Sequence, residues 1–286
     1  MSTKNLLVEL FVEELPPKAL QKLGDAFAGV LFDQLKAQGL TAADSKLTAF
    51  ASPRRLAVHV TAVLSESAAK EVVVKLMPKK VAFDDKGQRT AALSKRLDKE
   101  GYLVDDATMK LVELEEKGVA TLALQKREAP LPLVVGLQLA LGSALAKLPI
   151  PKVMSYQLES GCALPGWSSV SFVRPAHGLV ALHGSTVVPV EALGLKAGNA
   201  TQGHRFEAAV SPVVMKDADS YADTLARDGA VIASFAERKA EIARQLAAAA
   251  AKVGGGVRPI EDDALLDEVT ALVERPNVLV CEFEKQ

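Results

Sequence analysis

The sequence predicts an α+β fold: a mixed, mostly antiparallel sheet packed by helices, with a more helical C-terminal segment. Three observations carry this prediction. Short runs of alternating apolar residues, punctuated by Gly and Pro, recur from residue 5 to about residue 195. Only a few helical patterns interrupt them. Beyond about residue 213 the spacing changes to the three-and-four rhythm of helices.

The first run, "NLLVELFV" (5–12), is short and rich in β-formers, and reads as a strand. Pro16 and Pro17 then open a helix, with Glu13 and Glu14 suited to its positive end. Leu20, Leu23, Phe27, Val30, Leu31 and Leu35 form one apolar helical face, which Gly39 terminates. From Leu47 to Leu64 the chain reads as extended, with Leu56, Val58 and Val60 on one face and Ala57, His59 and Thr61 on the other. Strand "EVVVKL" (71–76) precedes a loop at 83–88 and a helix near 89–101. Residues 109–126 read as a hairpin turning at Lys117 and Gly118.

"LPLVVGLQLALGSALA" (131–146) is almost wholly apolar, yet too short for a membrane span and interrupted by Gln138 and Ser143, so a buried helix is predicted. Pro130 and Pro132 fit its first turn. Residues 168–195 read as two or three strands, with Gly184 and Ser185 in a turn and His183 in a structural or exposed position. A helix over 234–255 starts at Ser234 and Glu237, in capping-box spacing, and closes at Gly254. A shorter helix over 263–274 ends before Pro276, and 277–286 begins another strand. The expected organisation is a strand–helix–strand region over 1–66, an α+β region over 67–212, and a mainly helical region over 213–286 that is truncated at its C-terminal end.

With 286 residues, of which 49% are hydrophobic and 24% charged, the chain has material for a large core and exceeds the usual size of one compact unit. A formal net charge of −1 excludes a polybasic nucleic-acid binder but not a local basic face. Cys162 and Cys281 have no partner at metal-site spacing, and the four histidines do not cluster, so no metal site is predicted. The N-terminal stretch lacks the pattern of a signal peptide. A nucleotide-phosphate loop and a nucleophile elbow are absent from the sequence. Paired acids such as Glu13 with Glu14, or Asp262 with Asp263, read as helix caps rather than as acid and base.

The polar constellation left is "FVRPAH" (172–177) with "QGHRF" (202–206), joined by "SPRRLA" (52–57). Arg54, Arg55, Arg174 and Arg205 carry forked donors that fit phosphates, His177 and His204 add hydrogen bonds, and Gly203 permits close backbone approach. The same residues also fit a structural role, bridging carboxylates and carbonyls across loops. Aromatic residues are 5% of the chain, so a stacking platform is poorly supplied; core packing is the simpler role for Phe172, Phe206 and Trp167, and any RNA contact is expected at backbone or shape.

Six blocks, "LLVELFVEELPPKAL" (6–20), "SPRRLAV" (52–58), "LAKLPIPKVM" (145–154), "FVRPAHGLVALHG" (172–184), "GHRF" (203–206) and "LLDEVTALVERPNVLV" (265–280), resemble in the same order the N-terminal part of the β subunit of bacterial heterotetrameric glycyl-tRNA synthetase. The resemblance implies a cytoplasmic α2β2 ligase that uses ATP and Mg to join glycine to its tRNA. Adenylate chemistry would lie chiefly in the α subunit, and this part of the β subunit would bind no cofactor or metal and hold no catalytic residue. Implied partners are the α subunit, glycine tRNA and a second β subunit, without a membrane. Arg54, Arg55, Arg174, His177, His204 and Arg205 are then candidates for tRNA contact. A scaffold or αβ-interaction module without tRNA contact is the alternative. Ser155, Tyr156 and Gln202 stand where many relatives carry Arg-Trp after "PIPK" and Arg before "GHRF".

Overall fold

A computed structural model describes residues 3–102, 109–116 and 119–282, and all but the side chain of Glu116 among them. The chain forms two compact units, one of residues 1–66 with 132–286 and one of residues 67–131. The architecture is α+β, with mostly antiparallel sheets.

The first unit begins with β1 (Thr3–Val12), α1 (Pro17–Ala37), β2 (Leu47–Ser52) and β3 (Arg55–Leu64). The second unit holds β4 (Lys70–Pro78), α2 (Lys79–Ala82), α3 (Ala91–Lys99), β5 (Lys110–Glu116) and β6 (Val119–Glu128). The chain then returns to the first unit through α4 (Leu133–Lys147), β7 (Met154–Leu158), β8 (Ser168–Phe172), β9 (Ala176–His183) and β10 (Thr186–Val187). Four two-residue strands follow, β11 (Glu191–Ala192), β12 (Leu195–Lys196), β13 (Ala200–Thr201) and β14 (Val213–Val214). Helices α5 (Tyr221–Arg227), α6 (Phe235–Val253) and α7 (Asp263–Thr270) complete the order.

The main sheet has the order β10-β9-β1-β3-β2. Its central strand β1 has an antiparallel neighbour on each edge, and its apolar run is buried on both faces by the layers packed on the sheet. Register puts Leu6, Val8 and Leu10 with Leu56, Val58 and Val60 on one face, and Leu7, Glu9 and Phe11 with Arg55, Ala57 and Val180 on the other. Helix α1 packs against β2 and β3 through Leu20, Leu23, Phe27, Leu31 and Leu35. The second face is covered from the C-terminal segment, where Met215, Ala218, Tyr221, Leu225, Val231 and Ala233 close over Leu7, Phe50, Ala57, Val180 and Leu182.

In the second unit, β4-β6-β5 form an antiparallel sheet with α2 and α3 packed through Ala82, Leu93 and Leu97 onto Leu122 and Leu124. Thr90 caps α3 by accepting from the Leu93 amide at 3.3 Å, so this helix is shorter than the 89–101 span expected. The hairpin over 109–126 forms, while its expected turn at Lys117 and Gly118 lies outside the described residues.

Several local expectations are corrected. The extended stretch 47–64 is a tight β2–β3 hairpin, because the carbonyls of Pro53 and Arg54 accept from Leu15 and Val12 instead of continuing a ladder. Pro130 and Pro132 precede α4 rather than occupying its first turn, and Pro132 stands at its N-cap. That helix buries one face only: Leu133, Leu137, Ala140, Leu141 and Ala144 are inside, while Val135 and Leu139 face out. Helix α7 stops at Thr270, whose carbonyl takes the Arg238 Nε–H at 2.9 Å, so the chain is free to turn Glu274 inward. Among the described residues no strand forms over 277–282, where the Val278 amide donates to the Gln245 side chain; the rest of the expected strand, 283–286, lies outside the described residues.

Gly24 of α1 faces Ala51 of β2 so closely that an added Cβ would sit 2.6 Å from the Ala51 Cβ, whereas Gly29 on the same helix faces open space. Gly24→Val is expected to cost about 1–3 kcal/mol by forcing helix and sheet apart. Gly29→Ala is expected to add up to about 1 kcal/mol through helix propensity. Urea denaturation of the two variants checks the pair, and equal effects would contradict this packing.

Candidate functional site

The three sequence blocks that suggested a site do converge: a buried ionic cluster joins "SPRRLA" to "QGHRF", and Glu13 and Glu14 tie "FVRPAH" to the same rim. Arg55, at the first position of β3, lies opposite Phe11 of β1 and diagonal to Glu9. Glu9 and Arg55 are both fully buried, with Arg55 Nε 3.5 Å from the Glu9 carboxylate. Glu274 enters from the C-terminal segment and bridges both arginines, at 3.1 Å from Arg54 Nη2 and 2.9 Å from Arg55 Nη1. Tyr221 donates its hydroxyl to Glu9; burial first, and then the Glu9 charge, push this phenol well above its usual range, so it stays a donor. Phe11 lies under both guanidinium groups, with its centroid 5.2 Å and 5.3 Å from their central carbons.

The remaining donors of the two arginines hold the loop that follows β13. Arg54 Nη2 donates to the Gly203 carbonyl at 2.8 Å, and Arg55 Nη2 donates to the Gln202 carbonyl. Arg54 and Arg55 therefore face inward and do not present their guanidinium groups to a phosphate; their place in the cluster is to fix the backbone of 202–203. Gly203 is needed for close approach, but by the chain itself: an added Cβ would lie 2.6 Å from the Gly229 carbonyl oxygen and 2.7 Å from the Ala208 Cβ. The His204 amide donates to that same Gly229 carbonyl at 2.7 Å.

Arg238 braces the cluster from α6. It donates to the carbonyls of Ala51 at 2.8 Å, Thr270 at 2.9 Å and Ile232 at 2.6 Å. Burial drives its pKa down to about 10, opposed by the charge of Glu274, and it remains a cation at neutral pH.

Around this buried base lies an open rim. Arg205 donates to Glu13 at 2.9 Å and approaches Glu14 at 3.6 Å, and His177 pairs with Glu13 at 2.9 Å. Burial pulls the Glu13 carboxyl upward, but hydrogen bonds from its neighbours and the charges of His177 and Arg205 outweigh it and hold the group below its usual range. Glu13 thus serves the rim, not the N-terminus of α1, which has no side-chain cap; Asp262, by contrast, does cap α7, at 2.9 Å from the Leu265 amide. Arg174 donates through Nε to the Glu14 carbonyl at 2.9 Å and through Nη1 to the Met154 sulfur at 3.2 Å.

These groups line two adjoining clefts. One, of about 430 Å³, is bounded by Phe11, Glu13, Arg54, His177, Gln202 and His204, and the other, of about 290 Å³, by Glu14, Pro53, Leu272, Glu274 and Arg275. Arg54, His204, Arg205 and Phe206 border both. Phe172 is buried as expected, but Phe206 is 89% exposed and Trp167 is 87% exposed, so neither packs in the core. His183 is structural: its Nε2 lies 2.8 Å from the Val63 carbonyl oxygen. Among the described residues no group of three His, Cys, Asp or Glu side chains is placed to hold a metal ion.

Glu9, Glu274, Tyr221 and Arg238 were not anticipated from the sequence. A signal existed for Glu9, a single charge inside the apolar run "LLVELFV". Glu274 gave none, since "LVERP" reads equally as a helix end.

The arrangement is a polar surface loop braced from below by paired charges. The family described as "Glycyl-tRNA synthetase beta subunit" matches residues 6–286 of the chain. The chain belongs to that family. It is 67% identical over its full length to a protein of Polaromonas naphthalenivorans (strain CJ2) called "Glycine--tRNA ligase beta subunit", of which it covers 41%. Proteins of the same name from Paracidovorax citrulli (strain AAC00-1) and Dechloromonas aromatica (strain RCB) are 65% and 59% identical, again over the whole chain and 40% of each relative. The chain thus spans about two-fifths of the length of these curated relatives.

Removing one member of the cluster leaves buried charge under-compensated. Glu274→Ala is expected to destabilise the chain by about 3–5 kcal/mol, because Arg54 loses its carboxylate and Arg55 keeps Glu9 alone. Urea denaturation at neutral pH measures this, and a loss below about 1 kcal/mol, the range of a surface pair, would contradict it.

Proposed function

We propose that this chain is a tRNA-recognition and assembly region of a glycine-tRNA ligase β subunit, supporting ATP-dependent attachment of glycine to tRNA within an α2β2 complex whose chemistry resides in the α subunit. Membership of the family supports the context, and the observation that carries the local reading is the braced rim. Arg205 and His204 stand at the surface on a backbone that Arg54 and Arg55 hold from within, and His177 stands beside them on β9. Its contribution to the reaction is positional: fixing the tRNA body orders the acceptor end for a partner subunit's active site and lowers the entropic barrier without any chemistry from this chain. ATP and Mg belong to the complete enzyme in this reading. Arg205, His177, His204 and Arg174 make the RNA contacts, and Arg54 and Arg55 position the loop that carries His204 and Arg205.

The rim cations are paired with exposed carboxylates, and this does not oppose the reading. Such pairs are worth about 0–1 kcal/mol, so a phosphate can take the place of Glu13 at Arg205 with little loss. A scaffold or αβ-interaction role without tRNA contact is favoured by a separate observation, the β7–β8 ribbon region, which leaves Val153, Leu164 and Trp167 exposed.

Titration of the chain with glycine tRNA across a salt series separates the two readings. Arg205→Ala is expected to weaken binding and to make the slope of log K against log salt shallower by about one. Trp167→Ala is expected to leave RNA affinity unchanged and to reduce α-subunit affinity if the ribbon is the assembly surface. An Arg205→Ala variant with unaltered affinity and slope would overturn phosphate contact at the rim.

A further inference from the structure

An exposed phenylalanine stands between two polar clefts, on a loop braced from the protein interior. Phe206 follows directly after Arg205, and its amide donates to His204 Nδ1 at 3.3 Å. The His204 ring meets the Phe206 ring edge-on, with centroids 6.2 Å apart and planes inclined by 65°. The loop behind them is tied through Gln202 and Gly203 to the buried arginines. Phe206 is thus held in a set direction and not packed, and such an arrangement binds flat ligands at low ordering cost.

The surroundings narrow the class of ligand. Gln202, His204 and His177 offer both donors and acceptors around the larger cleft, which suits the mixed edge of a nucleobase. Arg205, on the rim of both clefts, and Arg275, on the smaller one, are within the same surface; Arg205 pairs with the half-buried Glu13 and the exposed Glu14, and Arg275 with the exposed Glu207. An apolar peptide would need a continuous greasy floor, whereas here the apolar groups, Phe11, Phe206, Pro53 and Leu272 among them, are divided between two clefts that charged side chains also line.

We infer that Phe206 is a stacking platform for an unpaired RNA base, with the base edge directed into the cleft lined by Gln202, His204 and His177 and the adjoining phosphate at Arg205. This rests on the tRNA reading above and deepens it, since backbone contact alone would not require the ring. Unpaired nucleotides are the fitting substrate because a base inside a duplex has both faces covered by its neighbours.

The test uses the 286-residue chain with two RNA probes, a mixed-sequence single strand of roughly 12 nucleotides and a blunt duplex of the same sequence. Phe206 is so exposed that its replacement leaves folding intact. Phe206→Ala is expected to weaken single-strand binding roughly 5- to 150-fold, the loss of one stacked base, and Phe206→Tyr to restore it. Trp167 is the single tryptophan, so combining Trp167→Phe with Phe206→Trp gives an emission probe at the loop, whose fluorescence the single strand should quench and the duplex should not. Unchanged single-strand affinity in Phe206→Ala, alongside weakened binding in Arg205→Ala, would refute stacking while the RNA-contact reading stands. No binding of glycine tRNA or of either probe by the unsubstituted chain would remove that reading, and stacking with it.

Discussion

Two arginines adjacent in sequence share one buried carboxylate, and the rest of the site follows from that constraint. Glu274 arrives more than two hundred residues after Arg54 and Arg55, yet it is the group that lets both guanidinium ions sit inside the protein. Glu9 supplies a second negative charge from the central strand, and Arg238 adds a third buried cation whose donors go to backbone carbonyls. Charges this deep are costly without their partners, so closure of the C-terminal segment over the sheet and pairing of the charges depend on each other.

Closure has a consequence at the surface. The donors left over after pairing with Glu274 and Glu9 point at the carbonyls of Gln202 and Gly203, and the loop they hold carries His204, Arg205 and Phe206 outward. Interior electrostatics thereby become surface preorganisation. The same logic accounts for Gly203, where only the absence of a side chain lets the loop lie against Gly229. A loop fixed in this way presents its side chains with little entropy left to lose on binding.

Much of the fold was legible because local patterns agreed with it. The apolar run of β1, the three-and-four spacing of α1, the Ser234 cap of α6 and the turn at Gly184 and Ser185 all reflect forces acting within a few residues. What escaped was decided at long range. The hairpin at Pro53 breaks because distant amides claim its carbonyls, α7 ends early because Arg238 takes a carbonyl of its last turn, and 277–282 alternates like a strand but finds no partner strand among the described residues. For the site, "SPRRLA", "FVRPAH" and "QGHRF" were recognisable as belonging together, but their orientation was not. Nothing in a sequence distinguishes an arginine turned inward, as Arg54 is, from one turned outward, as Arg205 is, until the carboxylate that each one meets is known.

The central claim is that the buried cluster holds the 202–204 loop in place. Amide hydrogen exchange of the Glu274→Gln variant against the unsubstituted chain tests it most directly, because glutamine keeps the shape and removes the charge. Protection is predicted to fall together at the His204 amide, bound to Gly229, and at the Val12 amide, bound to Arg54, while the centre of β1 keeps its protection. Unchanged exchange at His204 in a variant that has lost the Glu274 charge would contradict the account.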